Sequence, residues 1–187
     1  MKNKDQLRKK FLALRKKKYF EVSIDNFNKL IKHIKKKNKT KKNFFIGLYY
    51  PSNYEFNILK LIRNFKNSKV IFLLPKILNG NFMKFVEWKE KDTLTVNKFG
   101  IPEPCETKKK SHLPDIVLVP LVAFDCYKNR LGYGKGFYDR YLFKLIKLNK
   151  KIEIIGVAFS FQKYKKLPIS NFDFKLNNIY TEKGFVK

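Results

Sequence analysis

The chain is poor in cysteine, glycine, alanine and arginine, and each shortage excludes something. Of its 187 residues only Cys105 and Cys126 are cysteines, and neither belongs to a Cys-x-x-Cys pair. The two histidines, His33 and His112, are scattered, so no zinc-ligand spacing exists and the cysteines read as reduced thiols rather than a disulfide. No uninterrupted apolar run reaches the roughly 18 to 20 residues that a membrane helix needs. The basic amino terminus also lacks the apolar stretch and small-residue cleavage site of a secretory signal. The expectation is a cytoplasmic, membrane-free protein forming a single domain over 1–187, with 44% apolar or aromatic residues to build its core.

Acidic residues are scarce as well, 15 against 43 basic ones, which leaves a formal charge of +28. Such a charge points at first to nucleic acid or an anionic surface. The basic residues, however, are 38 Lys and only 5 Arg, beside 17 Asn and 3 Ala. Nucleic-acid surfaces lean on Arg, whose planar fork reads guanine and phosphate bidentately, so this composition reads as biased codon usage and solvated Lys faces. No specific nucleic-acid partner is expected, and an RNA-binding basic module is kept as the alternative reading. The charge still raises the encounter rate of any small polyanion.

Along the chain, residues 4–18 read as an amphipathic helix with Leu7, Phe11, Leu12 and Leu14 on its apolar side. A second helix is expected over 24–36, capped by Ser23. Residues 43–50 read as a buried strand ended by Pro51. Ser52 and Glu55 have capping-box spacing and are expected to open a helix through Phe56, Leu59, Ile62 and Phe65. Further strands are expected at 70–74 (stopped by Pro75), 84–88, 116–119 and 152–158, with a helix over 136–148 and a polar loop over 107–113. Strands alternating with helices predict an α/β domain, a mostly parallel sheet flanked by helices on both faces in a Rossmann-like three-layer arrangement.

Against only eight glycines in the chain, three fall within five residues, at Gly132, Gly134 and Gly136, flanked by Arg130 and Arg140. This segment lies between an expected strand and an expected helix. Free amides at a helix amino terminus form an anion cradle, to which Lys135 adds charge. Asp139 falls in the first helical turn, where a carboxylate can hold magnesium against phosphates. The segment fits neither a Walker loop, since Gly follows Lys135, nor Gly-x-Gly-x-x-Gly. An ordinary tight turn before a polar helix start is the competing reading.

Leu131 to Leu142 (LGYGKGFYDRYL), preceded by PDIVLVPLVAFD at Pro114 to Asp125, resembles the signature of the 5-formyltetrahydrofolate cyclo-ligases, also called methenyltetrahydrofolate synthetases. Lys4-x-x-Leu7-Arg8, Tyr50-Pro51 with Glu55, Leu74-Pro75, Met83-x-Phe85, Gly100 to Pro104, Leu167-Pro168, Asp173 and Thr181 fall in the family's order, so the similarity covers nearly the whole chain. The resemblance implies an enzyme that uses ATP and Mg2+ to convert 5-formyltetrahydrofolate, in some cases polyglutamylated, to 5,10-methenyltetrahydrofolate with release of ADP and phosphate. The implied route passes through a phosphorylated formyl group. No protein nucleophile is needed for it, in keeping with the absence of a Gly-x-Ser-x-Gly elbow.

The resemblance also assigns residues. Lys4 and Arg8, one helical turn apart, would reach ATP phosphates, with Arg130, Leu131, Gly132, Tyr133, Gly134, Lys135, Gly136, Phe137 and Tyr138 wrapping them. Arg130, Lys135, Tyr138 and Arg140 would serve the chemistry, and Asp139 and Asp173 would hold the metal. Tyr50, Glu55, Met83, Phe85, Trp88, Glu103 and Tyr138 would meet the folate, although Glu55 is also claimed by the capping box and the aromatic residues by the core. A monomer is expected. Two departures stand out. Lys128 occupies a turn position where the family usually has Gly, so either it adopts a left-handed conformation or Asn129 absorbs the strain. Asn177 replaces an acidic residue, which would reduce the carboxylates near the metal. A third reading keeps the fold and nucleotide binding without turnover.

Overall fold

The computed structural model describes residues 3–39, 41–66, 68–79, 82–105 and 110–187. Along the chain come α1 (Lys4–Lys18), α2 (Asn28–Lys37), β1 (Phe44–Gly47), β2 (Val70–Ile77), β3 (Met83–Glu87), β4 (Leu94–Val96), β5 (Pro102–Pro104), β6 (Ile116–Pro120), β7 (Ala123–Phe124), β8 (Arg130–Leu131), α3 (Phe137–Leu148), β9 (Glu153–Val157), β10 (Asn178–Thr181) and β11 (Gly184–Phe185). Seven strands form one sheet in the order β11-β10-β9-β6-β1-β2-β3. Pairing is parallel from β10 through β2 and antiparallel only at the two edges, β10–β11 and β2–β3.

The strands are apolar on both faces because both are covered. Ile116 and Leu118 of β6 join one core with Leu30, Ile31 and Ile34 of α2 and with Ile58 and Leu61 of a 3₁₀ helix over Ile58–Phe65. Val117 and Val119, one residue out of phase, join a second core with Leu142 and Leu145 of α3. This is the expected three-layer α/β domain, since a parallel sheet must bury each face under helices. A third, smaller core sits at one end: Leu7 and Phe11 of α1 pack on Val122, Ala123, Leu131 and Leu167. Asn3 and Gln6 fix the start of α1 with a reciprocal capping box, a device worth about 1 kcal/mol.

Five expectations change in detail. The second helix starts as a 3₁₀ turn at Ile24–Phe27 before becoming α2, and the strand expected over 43–50 pairs only from Phe44 to Gly47. Glu55 Oε2 does accept from the Ser52 amide, but the Glu55 amide donates to the Ser52 carbonyl rather than to its hydroxyl, so the pair closes a turn; the helix begins only at Ile58 and is 3₁₀. Two consecutive left-handed residues, Asn53 (φ 48) and Tyr54 (φ 61), prevent a helix from starting there. The strand expected to stop before Pro75 runs through it to Ile77. Trp88 donates to Phe72 and Leu78 to Phe82, so Pro75, opposite Phe85, falls at a position whose amide faces away from β3. On the β1 side the register ends at Gly47 opposite Leu73, so Pro75 lies just past that pairing. The loop expected over 107–113 lies outside the described residues as far as 109, and from Ser111 it bridges β3 at Val86. The short β4–β5, β7–β8 and β10–β11 ribbons carry too few residues for an alternation to register.

Candidate active site

β1 and β6 are neighbours, yet the chain leaves β1 toward β2 on one side and leaves β6 toward β9 on the other. Loops that diverge from the carboxyl ends of two adjacent strands open a crevice at that switch point. A cavity of about 290 Å³ occupies this place. Tyr49, Tyr50, Ser52, Asn53 and Glu55 from the loop after β1 form one wall, and Pro75, Ile77 and Met83 from the β2–β3 edge form another. Asn97, Phe99 and Ile101 of the β4–β5 hairpin contribute a third side. Pro120, Arg130 and residues 132–139 close the fourth.

That fourth wall is built around glycine. Gly134 (φ 98) and Gly136 (φ 69) hold conformations that L side chains rarely adopt, and a Cβ at Gly134 would come within 3.2 Å of the Arg8 guanidinium. Gly136 caps α3 with no side-chain bond. Among the described residues, the amides of Tyr133, Gly134, Lys135 and Gly136 donate to no protein acceptor. Unpaired amides at a helix amino terminus suit an anion. Cations converge on the same loop: Arg8 Nε donates to Gly132 O at 2.9 Å, and Arg140 Nη2 to Lys135 O at 2.9 Å, while Lys135 is itself exposed.

Arg130 is buried behind the loop and gives Nη2 to Asp139 Oδ1 at 2.6 Å. Asp139 Oδ1 also accepts from the Phe174 amide at 3.2 Å. Among the described residues the buried Arg130 Nε and Tyr138 hydroxyl have no protein partner, and the Arg130 guanidinium lies 5.7 Å from the Tyr138 ring centre. Burial and the nearby Glu55 carboxylate push the Tyr138 phenol well above its ordinary value, so it stays a neutral donor. A buried donor with no acceptor beside an apolar cavity is a group that a bound molecule could satisfy.

At the opposite wall, buried Glu55 accepts from the Ser52 amide at 2.9 Å through Oε2 and from the Tyr133 hydroxyl through Oε1. Burial raises its carboxyl above the usual range, opposed by Arg15 and by the Tyr133 and Ser52 bonds. Oε2 thus serves the turn, while Oε1, which takes the Tyr133 hydroxyl, retains a further acceptor site at the cavity wall.

The structure gathers Tyr50, Glu55, Met83, Arg130, Gly132 to Gly136, Phe137, Tyr138 and Asp139 into this cavity. Lys4 and Arg8 approach from α1 outside it, and Leu131 turns its side chain into the core beneath α1. Asp173 lies in the loop before β10. Lys4 reaches it at 2.5 Å and Ser170 N at 2.6 Å, which hold its carboxyl below the usual range against the opposing effect of burial. Among the described residues no cluster of three or more His, Cys, Asp or Glu side chains converges.

Three residues expected to meet the folate lie outside the cavity lining. Phe85 lies over Gly47, where a Cβ would sit 2.8 Å from its ring, and belongs to the core under α3. Trp88 is on the other face of the sheet, in the α2 core, and at the far end of β3 from Met83. Glu103, inward-facing on β5, accepts from Ile77 N at 3.1 Å and from Asn97 Nδ2 at 2.9 Å, and so braces the hairpin. Sequence reasoning missed Tyr49, Asn97, Phe99 and Ile101, whose residue types carry no chemical signal, and it missed Arg15. Of the two departures, Lys128 takes the left-handed conformation itself (φ 65), and Asn177 Oδ1 accepts from Ile154 N at 2.8 Å, fixing β10 against β9.

Comparison with known proteins agrees with this geometry. Residues 1–182 match the model of the 5-formyltetrahydrofolate cyclo-ligase family. A Haemophilus influenzae protein named 5-formyltetrahydrofolate cyclo-ligase is 33% identical over 140 residues, 72% of this chain and 73% of that one. A Mus musculus protein of the same name is 25% identical over 95% of this chain and 90% of its own. The solved structure of an Aquifex aeolicus 5,10-methenyltetrahydrofolate synthetase superposes with a TM-score of 0.71 at 32% identity, covering 97% of this chain and 91% of that one. The Mycoplasma pneumoniae synthetase gives 0.73 at 25% identity over 97% and 99%. With its switch-point cavity, its glycine-rich wall and this match along almost its full length, the chain belongs to the 5-formyltetrahydrofolate cyclo-ligase family.

Proposed function

We propose that the protein converts 5-formyltetrahydrofolate to 5,10-methenyltetrahydrofolate at the expense of ATP. The observation that carries this reading is the run of four consecutive amides, 133–136, left without acceptors among the described residues at the start of α3, in a cavity whose largely apolar lining includes a buried carboxylate. One end of the cavity suits a polyphosphate and the other a flat heterocycle with donor groups.

The formyl oxygen of the substrate is a poor leaving group. Taking the terminal phosphoryl group of ATP, with ADP departing, turns it into a good one; the neighbouring folate nitrogen then closes on the formyl carbon, its N–H proton is lost, and the C–O bond breaks as phosphate leaves. The protein's work is positioning and charge neutralisation. The 133–136 amides, Arg8, Lys135 and Arg140 hold the phosphates, with Lys4 behind them. Arg130 backs the loop, and the neutral Tyr138 hydroxyl donates toward the transferred group. Glu55 accepts from the pterin, and Tyr50 and Met83 supply its apolar wall. Mg2+ fits Asp139 and Asp173: Arg130 and Phe174 use only Oδ1 of the first, and Lys4 and Ser170 only Oδ2 of the second. A metal held by one or two carboxylates together with phosphates needs no larger protein cluster, and it would neutralise charge on the phosphoryl oxygens.

Purified protein with ATP, Mg2+ and 5-formyltetrahydrofolate is expected to develop the near-ultraviolet methenyl absorbance. Asp139→Asn, which keeps an oxygen for Arg130 and Phe174, is expected to stay folded and lose that activity. Nucleotide binding by folded wild-type protein without any absorbance change would instead favour a family member that has lost turnover.

A further inference from the structure

Arg15 stands apart from the residues used so far: a cation on the last turn of α1, only 1% exposed, close enough to Glu55 to oppose the rise of its carboxyl but, among the described residues, in no direct ion pair. It donates to three different loops of the switch point. Nε reaches Asn53 O at 2.9 Å after β1, Nη1 reaches Leu121 O at 3.3 Å after β6, and Nη2 reaches the Tyr133 hydroxyl at 2.6 Å in the glycine-rich loop. Its guanidinium lies 5.5 Å from the Tyr133 ring centre. The same hydroxyl donates a hydrogen bond to Glu55 Oε1. A buried cation and a buried carboxylate are thus joined through one phenol.

Tyr133 sits between Gly132 and Gly134, so its backbone belongs to the phosphate cradle and its hydroxyl to the pterin end. An anion that fixes the 133–136 amides also fixes this hydroxyl. The hydroxyl in turn orients Glu55, whose turn holds Asn53 and Tyr54 in left-handed conformations and is tied to Arg15 through Asn53 O. Charge-assisted bonds in series also polarise one another.

We propose that Arg15 is a positioning residue, and that the Arg15–Tyr133–Glu55 chain couples the two ends of the cavity, so that a bound nucleotide tightens folate binding and a bound folate tightens nucleotide binding by the same factor. The inference rests on the cyclo-ligase reading of the site, and the reciprocity is required by linkage.

The test uses the full chain, 5-formyltetrahydrofolate, and an ATP analogue with a non-transferable terminal phosphate, titrated calorimetrically alone and in each other's presence. Wild type is expected to show a coupling factor of about 5 to 50, equal in both directions. Tyr133→Phe, which keeps the aromatic ring and cuts the chain, is expected to bring the factor to about 1. Arg15→Lys, which cannot reproduce the three-way fork, is expected to give an intermediate factor. Thermal melting of each variant controls for folding. Two ligands that bind wild type independently, or a Tyr133→Phe variant with undiminished coupling, would overturn the inference while leaving the cyclo-ligase reading intact. Failure of wild type to bind either ligand would overturn both.

Discussion

At Lys128 the backbone turns left-handed (φ 65) between β7 and β8, in a turn held by Asp125, whose carboxylate accepts from Tyr127 N, Asn129 N and Asn129 Nδ2 at 3.0 Å each. A side chain with a Cβ costs about 1 to 2 kcal/mol in that conformation. Lys128 recovers part of this through Nζ, which donates to Asn177 O at 2.7 Å, but that bond is exposed. Replacing Lys128 with Gly is expected to stabilise the protein by about 0.5 to 1 kcal/mol net of the greater freedom of the unfolded chain, raising the melting temperature by about 1 to 4 °C. A lower melting temperature would mean that the Asn177 bond outweighs the strain. The opposite change belongs at Gly134. There Ala meets both an unfavourable φ and the Arg8 guanidinium, at a cost of about 1 to 3 kcal/mol that the loop escapes by shifting. Gly134→Ala is therefore expected to raise the KM for ATP by about tenfold or more while the melting temperature moves by only a few degrees. A large melting shift with unchanged KM would place the damage in the core instead.

At the scale of elements, one carboxylate ties α2 to the sheet beside the apolar packing of Leu30, Ile31 and Ile34. Glu153 at the start of β9 takes His33 Nε2 at 2.9 Å and Lys37 at 3.2 Å from α2, and Asn178 Nδ2 at 2.8 Å from β10. Burial alone would raise its pKa; the bonds from His33 and Asn178 outweigh that and hold it below the ordinary 4.5. Because the folded state binds the proton less readily than the unfolded chain, this contribution is present above pH 4.5 and fades as the pH falls through the lowered folded value. Glu153→Gln is expected to melt earlier at neutral pH and to converge on wild type in acid. Parallel curves across the whole acid range would show that the carboxylate is not responsible.

The same elements explain what was legible in the sequence. Helices α1 and α3 and strands β3, β6 and β9 announce themselves by periodicity within a residue or two, because each presents a whole face to a core. The opening of the 58–65 helix waits on the left-handed Asn53–Tyr54 turn, which Arg15 grips from α1, and the passage of β2 through Pro75 depends on where its pairing with β1 ends, so no apolar pattern carries either. The glycine-rich wall was legible because glycine is rare here. Arg15 was not: it continues the Leu7–Phe11 stripe by four residues, but a periodicity built on apolar residues passes over a charge.

Over the whole molecule the arginines and lysines divide. Arg8, Arg15, Arg130 and Arg140 meet at the glycine-rich loop, leaving only Arg63 elsewhere, whereas the 38 lysines are spread along the chain. Arginine makes the short, directed bonds of the cavity, and lysine makes the field of a +28 protein around it. These act over different ranges. Contacts of 2.6 to 2.9 Å within the partly buried loop are little affected by salt, while a field reaching from exposed lysines is screened beyond about 10 Å at about 0.1 M ionic strength. Raising KCl from about 50 mM to about 500 mM is therefore expected to raise the KM for ATP several-fold and to leave kcat nearly unchanged. Lys35→Glu with Lys36→Glu, on the exposed side of α2 and away from the cavity, is expected to reproduce part of that rise at low salt and to show a shallower salt dependence. A kcat that falls with salt would mean that screening reaches the bonds around the phosphates themselves. A KM indifferent to both salt and charge reversal would show that the lysine field contributes nothing to capturing the nucleotide.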